Sequence, residues 1–319
     1  MELYYSALSD VGNVRTNNED YFYAGKIREN EYLFIVADGM GGHKAGEIAS
    51  MKAVNVFKSQ VEKGISNQIS EDLKRIVLKV NDILIKEGRD FQEKNGMGTT
   101  LSVLYTRDSQ AYIAHVGDSR IYRFSNLEDS PLLEQLTDDH SFVGKLLKDG
   151  YITEEEARNH PRRNVLYQSI GLKPDITVQT SAPIPIEKNQ KFLLCSDGLY
   201  GVVSDRLIAE FLQNKSLSHS VKQLIRKAKT NGGPDNITAI IISTEKDTSG
   251  SEDTSPEDIT KIDTPALSFP TKSKPKRIGF YILIALLLFL LAAIIFIILQ
   301  SGNSTPDSSR EKINIEQKN

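Results

Sequence analysis

Residues 32–43 read YLFIVADGMGGH. The first six, Tyr32–Ala37, are aromatic, aliphatic or β-branched, and they stop at an acid followed by glycine. That is the signature of a short buried strand closed by a turn. The same grammar recurs along the chain. Lys191–Cys195 (KFLLC) runs into Ser196, Asp197 and Gly198, and Asp235-Asn236 opens directly into Ile237–Ser243 (ITAIIIS). Thr100–Tyr105, Ala111–Val116 and Ile121–Phe124 are further strand-like runs. The last two are separated by GDSR, which predicts a hairpin.

Between the strands lie helical patterns. Leu73, Ile76, Val77, Val80, Ile83 and Leu84 form one apolar stripe within Ser70–Gly88, with Ser70 placed to cap it. Ala45–Val61 is a weaker stripe, and Ser204–Leu212 and Ser220–Lys229 read as later helices. Thr153 and Glu156 have capping-box spacing. Helices grouped in pairs, rather than alternating regularly with strands, predict an α+β layered fold over residues 1–243.

Composition bounds the function. The chain has 319 residues, 39% of them apolar and 25% charged, which is ordinary for a globular protein and excludes full-length disorder. A net charge of −3 argues against nucleic acid as a partner. A single cysteine, Cys195, rules out a disulfide framework and a cysteine zinc site. It lies inside a strand pattern and reads as core rather than nucleophile.

The C-terminal part has a different character. Residues 244–277 are rich in Ser, Thr, Pro and charge, as in a flexible linker. Ile278–Leu299 holds 22 residues without charge or proline, enough at about 1.5 Å each to cross a hydrocarbon core of about 30 Å. Lys272, Lys274, Lys276 and Arg277 precede it, which predicts a single-pass transmembrane helix with residues 1–243 cytoplasmic. Residues 300–319 then form a short external tail.

Five aspartates stand at strand ends: Asp20, Asp38, Asp118, Asp197 and Asp235. Singly, an Asp-Gly after a strand is an ordinary turn. Together, at the ends of strands in one sheet system, they can converge. Converged carboxylates repel unless a cation neutralises them. Oxygen donors select hard ions, Mg²⁺ or Mn²⁺. Two such ions sharing one carboxylate can activate a water at neutral pH. Gly39 lets a backbone carbonyl approach an ion. Arg15 can fork two phosphoryl oxygens, or make a structural ion pair. His43 can protonate a leaving alkoxide, or be a satisfied loop histidine. His115 and His140 read as structural.

The ordered runs Asp10–Asp20, Val36–His43, Gly98–Thr100, His115–Arg120, Leu136–Ser141, Cys195–Leu199 and Asp235–Thr238 resemble those of the bacterial metal-dependent protein phosphatases of the 2C type. The resemblance implies two antiparallel sheets packed as a sandwich with helices on both outer faces, a four-layer α-β-β-α order. It implies hydrolysis of phosphoserine and phosphothreonine in proteins with Mn²⁺ or Mg²⁺, two core ions and a third. By position, Asp38 would bridge the core ions and the Gly39 carbonyl would join one. Asp197 and Asp235 would hold the other, with Asp20 beside them, and Asp118 with Asp197 would take the third. Arg15 would grip the phosphate, His43 is nearest to the general acid, and 142–171 would be a flap beside the cleft. The implied partners are phosphorylated proteins, among them a membrane Ser/Thr kinase and its substrates. The competing reading is an inactive membrane-tethered phosphoprotein-binding regulator, which requires broken acid positions.

Overall fold

Alternation along single strands builds three apolar layers. In the computed structural model, which describes residues 1–41, 44–90, 96–127 and 130–246, strand β3 (Glu31–Met40) turns Leu33, Ile35 and Ala37 to one core and Tyr32, Phe34 and Val36 to another. Strand β12 (Ile237–Ser243) divides in the same way, with Ile237, Ala239 and Ile241 on one face and Ile240 and Ile242 on the other. A side-chain period of two in a strand covered on both faces requires this split.

The remaining strands are β1 (Tyr4–Asp10), β2 (Asp20–Arg28), β4 (Gly98–Thr99), β5 (Leu101–Arg107), β6 (Gln110–Val116), β7 (Arg120–Leu127), β8 (Ser130–Gln135), β9 (Gln179–Thr180), β10 (Ile184–Pro185) and β11 (Gln190–Cys195). One sheet has five strands in the order β1-β12-β11-β7-β8, and the other has seven, with β10-β6-β5-β3-β2 as its main path. All the pairings are antiparallel. Phe34, Leu104, Ile113, Phe192, Leu194 and Ile240 fill the space between the sheets.

Helices cover the outer faces. Helix α1 (Lys44–Val61) buries Ala45, Ala49, Ala53, Phe57 and Val61, one residue every four. Helix α2 (Ile69–Asp90) contributes Leu73, Val77, Val80 and Leu84 to the same core against the seven-stranded sheet. On the other side α5 (Asp197–Tyr200), α6 (Asp205–Leu212) and α7 (Leu217–Thr230) pack Leu199, Ile208, Leu212, Val221 and Leu224 against the five-stranded sheet. Each large side chain so buried is worth about 1.5–3 kcal/mol in transfer free energy. The α+β sandwich with helices on both outer faces is therefore present. Helices α3 (Phe142–Lys148) and α4 (Glu154–Asn159) form the segment expected as a flap, and α4 carries the capping box of Thr153 and Glu156.

Two local expectations are corrected. The segment GDSR does not close a hairpin. β6 pairs with β5, β9 and β10 in the seven-stranded sheet, whereas β7 pairs with β8 and β11 in the other. Gly117, Asp118 and Ser119 instead cross between the sheets, and Arg120 already opens β7. Gly117 takes φ +116°, and a Cβ there would lie 2.6 Å from the Thr100 side chain. Ser70 does not cap α2. It lies inside the helix, and its hydroxyl donates to Ser181 O at 2.8 Å. Cys195 is buried in the helix-side core of the five-stranded sheet, and burial pushes its thiol pKa up, consistent with a packing role.

The linker from residue 247 onward, the expected span 278–299 and the tail 300–319 lie outside the described residues. Among the described residues no helix is long and apolar enough to cross a membrane.

Candidate metal centre

The five aspartates gather at one end of the sandwich. Asp20 opens β2 and faces Asp38 of β3 directly in the ladder. Asp197 begins α5 at the end of β11, Asp235 precedes β12, and Asp118 sits in the crossing between β6 and β7. Asp38 feels Asp20, Asp197, Asp118 and Asp235, and its carboxyl hydrogen-bonds that of Asp197. Burial followed by these neighbours holds Asp38 well above the carboxylate range. Burial is also the main cause that lifts Asp20 to about 7, Asp197 to about 6 and Asp118 well above its ordinary value.

Hydroxyls tune the cluster. Ser196 Oγ and Thr238 Oγ1 each donate to Asp20 Oδ2 at 2.7 Å. Ser196 Oγ also accepts from Thr238 N, and Ser9 Oγ and Thr238 Oγ1 lie 2.8 Å apart. The Asp38 N–H donates to Thr100 Oγ1, while the Thr99 hydroxyl and Thr100 N–H both donate to Asp38 O. Asn236 ties the turn before β12 to the β1–β2 connection by accepting from Glu19 N and donating to Val11 O and Asn17 O.

Gly39 and Gly198 are set by crowding. A Cβ on Gly39 would meet Gly46 O at 2.2 Å and Glu19 O at 2.6 Å, and one on Gly198 would meet Asn236 O at 1.9 Å. Close approach of neighbouring backbone explains both glycines without invoking an ion.

The residues fit hard divalent cations. Asp20 Oδ1 and Asp197 Oδ1 are buried without a hydrogen-bond partner, an arrangement that is costly unless a cation takes the lone pairs. The donors are oxygen only, as Mn²⁺ and Mg²⁺ prefer. Among the described residues no three acid, histidine or cysteine side chains stand in closed coordination geometry. The cluster is open, and Asp235 Oδ2 is turned onto Arg15 Nη2 at 2.9 Å.

A cavity of about 520 Å³ opens beside the acids. Asp118, Asp197, Asp235 and Arg15 line one part, and α3 and α4 residues such as Val143 and Arg158 line another. Arg120 forms part of the wall, forked onto Asp139 with its guanidinium 3.7 Å from the Tyr200 ring centroid. Tyr200 in turn donates its hydroxyl to Asp118 O at 3.0 Å.

The structure thus brings together Arg15, Asp20, Asp38, Gly39, Asp118, Asp197 and Asp235. His43 lies outside the described residues. Sequence reasoning missed the supporting Ser196, Thr238, Thr100 and Asn236. The adjacency of Ser196 to Asp197, and the Gly-Thr-Thr run, were the available signals.

Residues 13–241 match the family described as Protein phosphatase 2C. The chain is 38% identical over 239 residues to serine/threonine phosphatase stp of Listeria monocytogenes, across 73% of this chain and 93% of that protein. The crystal structure of the Mycobacterium tuberculosis serine/threonine phosphatase PstP/Ppp superposes with a TM-score of 0.68 at 35% identity, over 76% of this chain and 99% of that one. The PstP catalytic domain in complex with two manganese ions superposes with a TM-score of 0.66 at 34% identity, over 76% and 97%. Phosphatases of this type use Mn²⁺ or Mg²⁺. With its sandwich, its buried carboxylates and these relatives in agreement, the chain belongs to the protein phosphatase 2C family of serine/threonine phosphatases.

Proposed function

We propose that the protein removes phosphate from phosphoserine and phosphothreonine in proteins at the cytoplasmic face of the cell membrane, reversing Ser/Thr kinase signalling there. The convergence of five strand-end aspartates with Arg15 beside one cavity carries this reading.

Asp38, Asp20, Asp197, Asp235 and the Gly39 carbonyl would hold two core Mn²⁺ or Mg²⁺ ions, and Asp118 with Asp197 a third. Such ions, when bound, supply Lewis acidity to the phosphoryl oxygens and lower the pKa of water. Arg15 exchanges its pairing with Asp235 for the substrate phosphate, and its planar fork orients two equatorial oxygens. Ser196 and Thr238 keep Asp20 aligned by occupying one of its oxygens, leaving the other for a cation. The leaving serine or threonine oxygen would take its proton from His43 or from a water at the site, a reading that rests on the sequence. The inactive-regulator reading needs a broken acid set, and all five acids are in place.

Residues 278–299 anchor the catalytic domain through the 244–277 linker. Tethering raises the effective concentration of phosphoproteins at the same membrane, a membrane kinase and its substrates foremost. Purified full-length protein releases phosphate from a phosphothreonine peptide only with Mn²⁺ or Mg²⁺, and no release would overturn the reading. Cell fractionation places the full chain with membranes, and deletion of 278–299 moves it to the soluble fraction.

A further inference from the structure

Asp118, like Asp235, belongs to no strand or helix. It sits in the three-residue crossing between the sheets, so other groups must fix its direction. Several polar groups of the crossing are engaged. Tyr200 donates to Asp118 O, Ser102 Oγ donates to Ser119 O at 2.6 Å, and Ser119 Oγ meets Thr100 Oγ1 at 2.7 Å. His115 Nε2 stands 3.0 Å from both Gly117 O and Asp138 O. Two carbonyls facing one ring nitrogen require that nitrogen to carry the proton.

His140 does something different. Its Nδ1 accepts from the Gly117 N–H at 3.1 Å, and its own backbone N–H donates to Gly117 O at 2.8 Å. One residue thus holds both ends of the residue preceding Asp118. The ring is buried and lies 4.9 Å from His115 and 5.7 Å from Tyr167, centroid to centroid. Its carbonyl accepts from Tyr167 N at 3.0 Å, and the next residue, Ser141, caps α3 and bridges to Leu166. His140 therefore stands where the root of the flap meets the Asp118 turn. Burial lowers its pKa, which keeps Nδ1 free to accept.

We infer that His140 is a positioning residue for the Asp118 metal site: by gripping Gly117 at both polar atoms, it sets the direction in which the Asp118 carboxylate faces its cation. The inference rests on the reading of Asp118 as a ligand. The imidazole touches neither substrate nor ion. Its Nδ1 lone pair is the working group, because the backbone pairing to Gly117 O survives any side-chain substitution. A side chain with an acceptor at that place suffices, and one without it fails. Asparagine supplies such an acceptor, since its Oδ1 is attached to Cγ as Nδ1 is.

The test is Mn²⁺ titration of the full-length chain, followed by electron paramagnetic resonance and calorimetry, on wild type, Asp118→Asn, His140→Ala and His140→Asn. Asp118→Asn loses its weakest class of Mn²⁺. His140→Ala weakens the same class by about tenfold, in line with supporting residues at metal sites, and leaves the tighter ions alone. His140→Asn restores it. Should His140→Ala not fold, His140→Gln replaces it; Gln carries its acceptor one carbon too far, so it weakens the site while Asn does not. Wild-type Mn²⁺ binding by Asp118→Asn would overturn the ligand reading itself. Loss of the weak class in Asp118→Asn, together with its retention in His140→Ala or His140→Gln, would overturn the role given to His140. Equal weakening in His140→Asn would also overturn it.

Discussion

Asp20 and Asp38 stand opposite one another in the β2–β3 ladder, two carboxylates at a single cross-strand position, Asp20 buried and Asp38 half-buried. Like charges placed directly across a ladder destabilise it. The metal-free domain therefore stores repulsion where function needs ligands. Asp38→Asn removes the acid that must either stand charged opposite Asp20 or take up a proton to avoid it. Its expected effect on turnover is a loss of more than about 10²-fold, comparable to removing a principal transition-state stabiliser. The same variant raises the thermal midpoint of the metal-free protein, measured by calorimetry in EDTA. Lower stability in the variant would contradict the repulsion account.

The pH dependence of the metal-free form follows from the same acids. Asp20 is lifted to about 7 and Asp197 to about 6, above the unfolded carboxylate value near 3.9. Their contribution is fully present below that unfolded value and is lost as pH rises through 6 and 7. The thermal midpoint in EDTA is expected to fall between pH 5 and 8, and the gain on adding Mn²⁺ to grow over the same interval. His115 acts in the opposite sense. Burial lowers it to about 3, so its contribution is present above about 6.5 and is lost as pH falls toward 3. Scanning fluorimetry across pH, with and without Mn²⁺, checks both slopes.

Thr238 donates its hydroxyl to Asp20 and meets Ser9 inside the five-stranded sheet. Thr238→Val keeps the branched shape and deletes the donor. It should cost about 1–3 kcal/mol, the range for leaving a buried polar partner unsatisfied, as read from urea unfolding. Mn²⁺ affinity should fall by about tenfold or more in the same variant.

Arg15 pairs with Asp235 at the cavity mouth, and its side chain is half exposed. A charge-assisted hydrogen bond is worth about 1.5–3 kcal/mol, so Arg15→Ala should raise KM for a phosphopeptide by about 10- to 100-fold. Arg15→Lys keeps the charge without the fork and should recover only part of that loss. Steady-state kinetics on one phosphothreonine peptide separates the two variants.

Gly198→Ala tests the crowding between α5 and β12. The added carbon would lie 1.9 Å from Asn236 O, so the backbone between Asp197 and Asp235 must shift. Both the thermal midpoint and Mn²⁺ binding are expected to drop. A variant with unchanged Mn²⁺ binding would show that the two acids tolerate this displacement.

Much of this was legible because strong patterns met strong constraints. Tyr32–Ala37, Lys191–Cys195 and Ile237–Ser243 are covered on both faces, so their apolar runs leave little choice. The acids were legible because Asp38 and Asp197 close such runs and Asp235 stands just ahead of one. β1 was not, since YYSALSD carries no apolar run and its side chains are mostly half-buried. The GDSR crossing read as a hairpin because turn chemistry is local, whereas the choice of sheet depends on partners far along the chain. Ser196, Thr100 and Thr238 could not be told from other small polar residues until folding brought them to Asp20 and Asp38.

Strand β12 lies between β1 and β11, so the first strand of the domain finds its neighbour only in the last. At about 5–20 residues per second, a ribosome delivers Asp20 roughly ten to forty seconds before Asp235. Throughout that interval the nascent chain carries an unfinished ligand set and two unzipped strand margins. The enzyme is thus born inert and gains its chemistry with the closing stitch of the sheet.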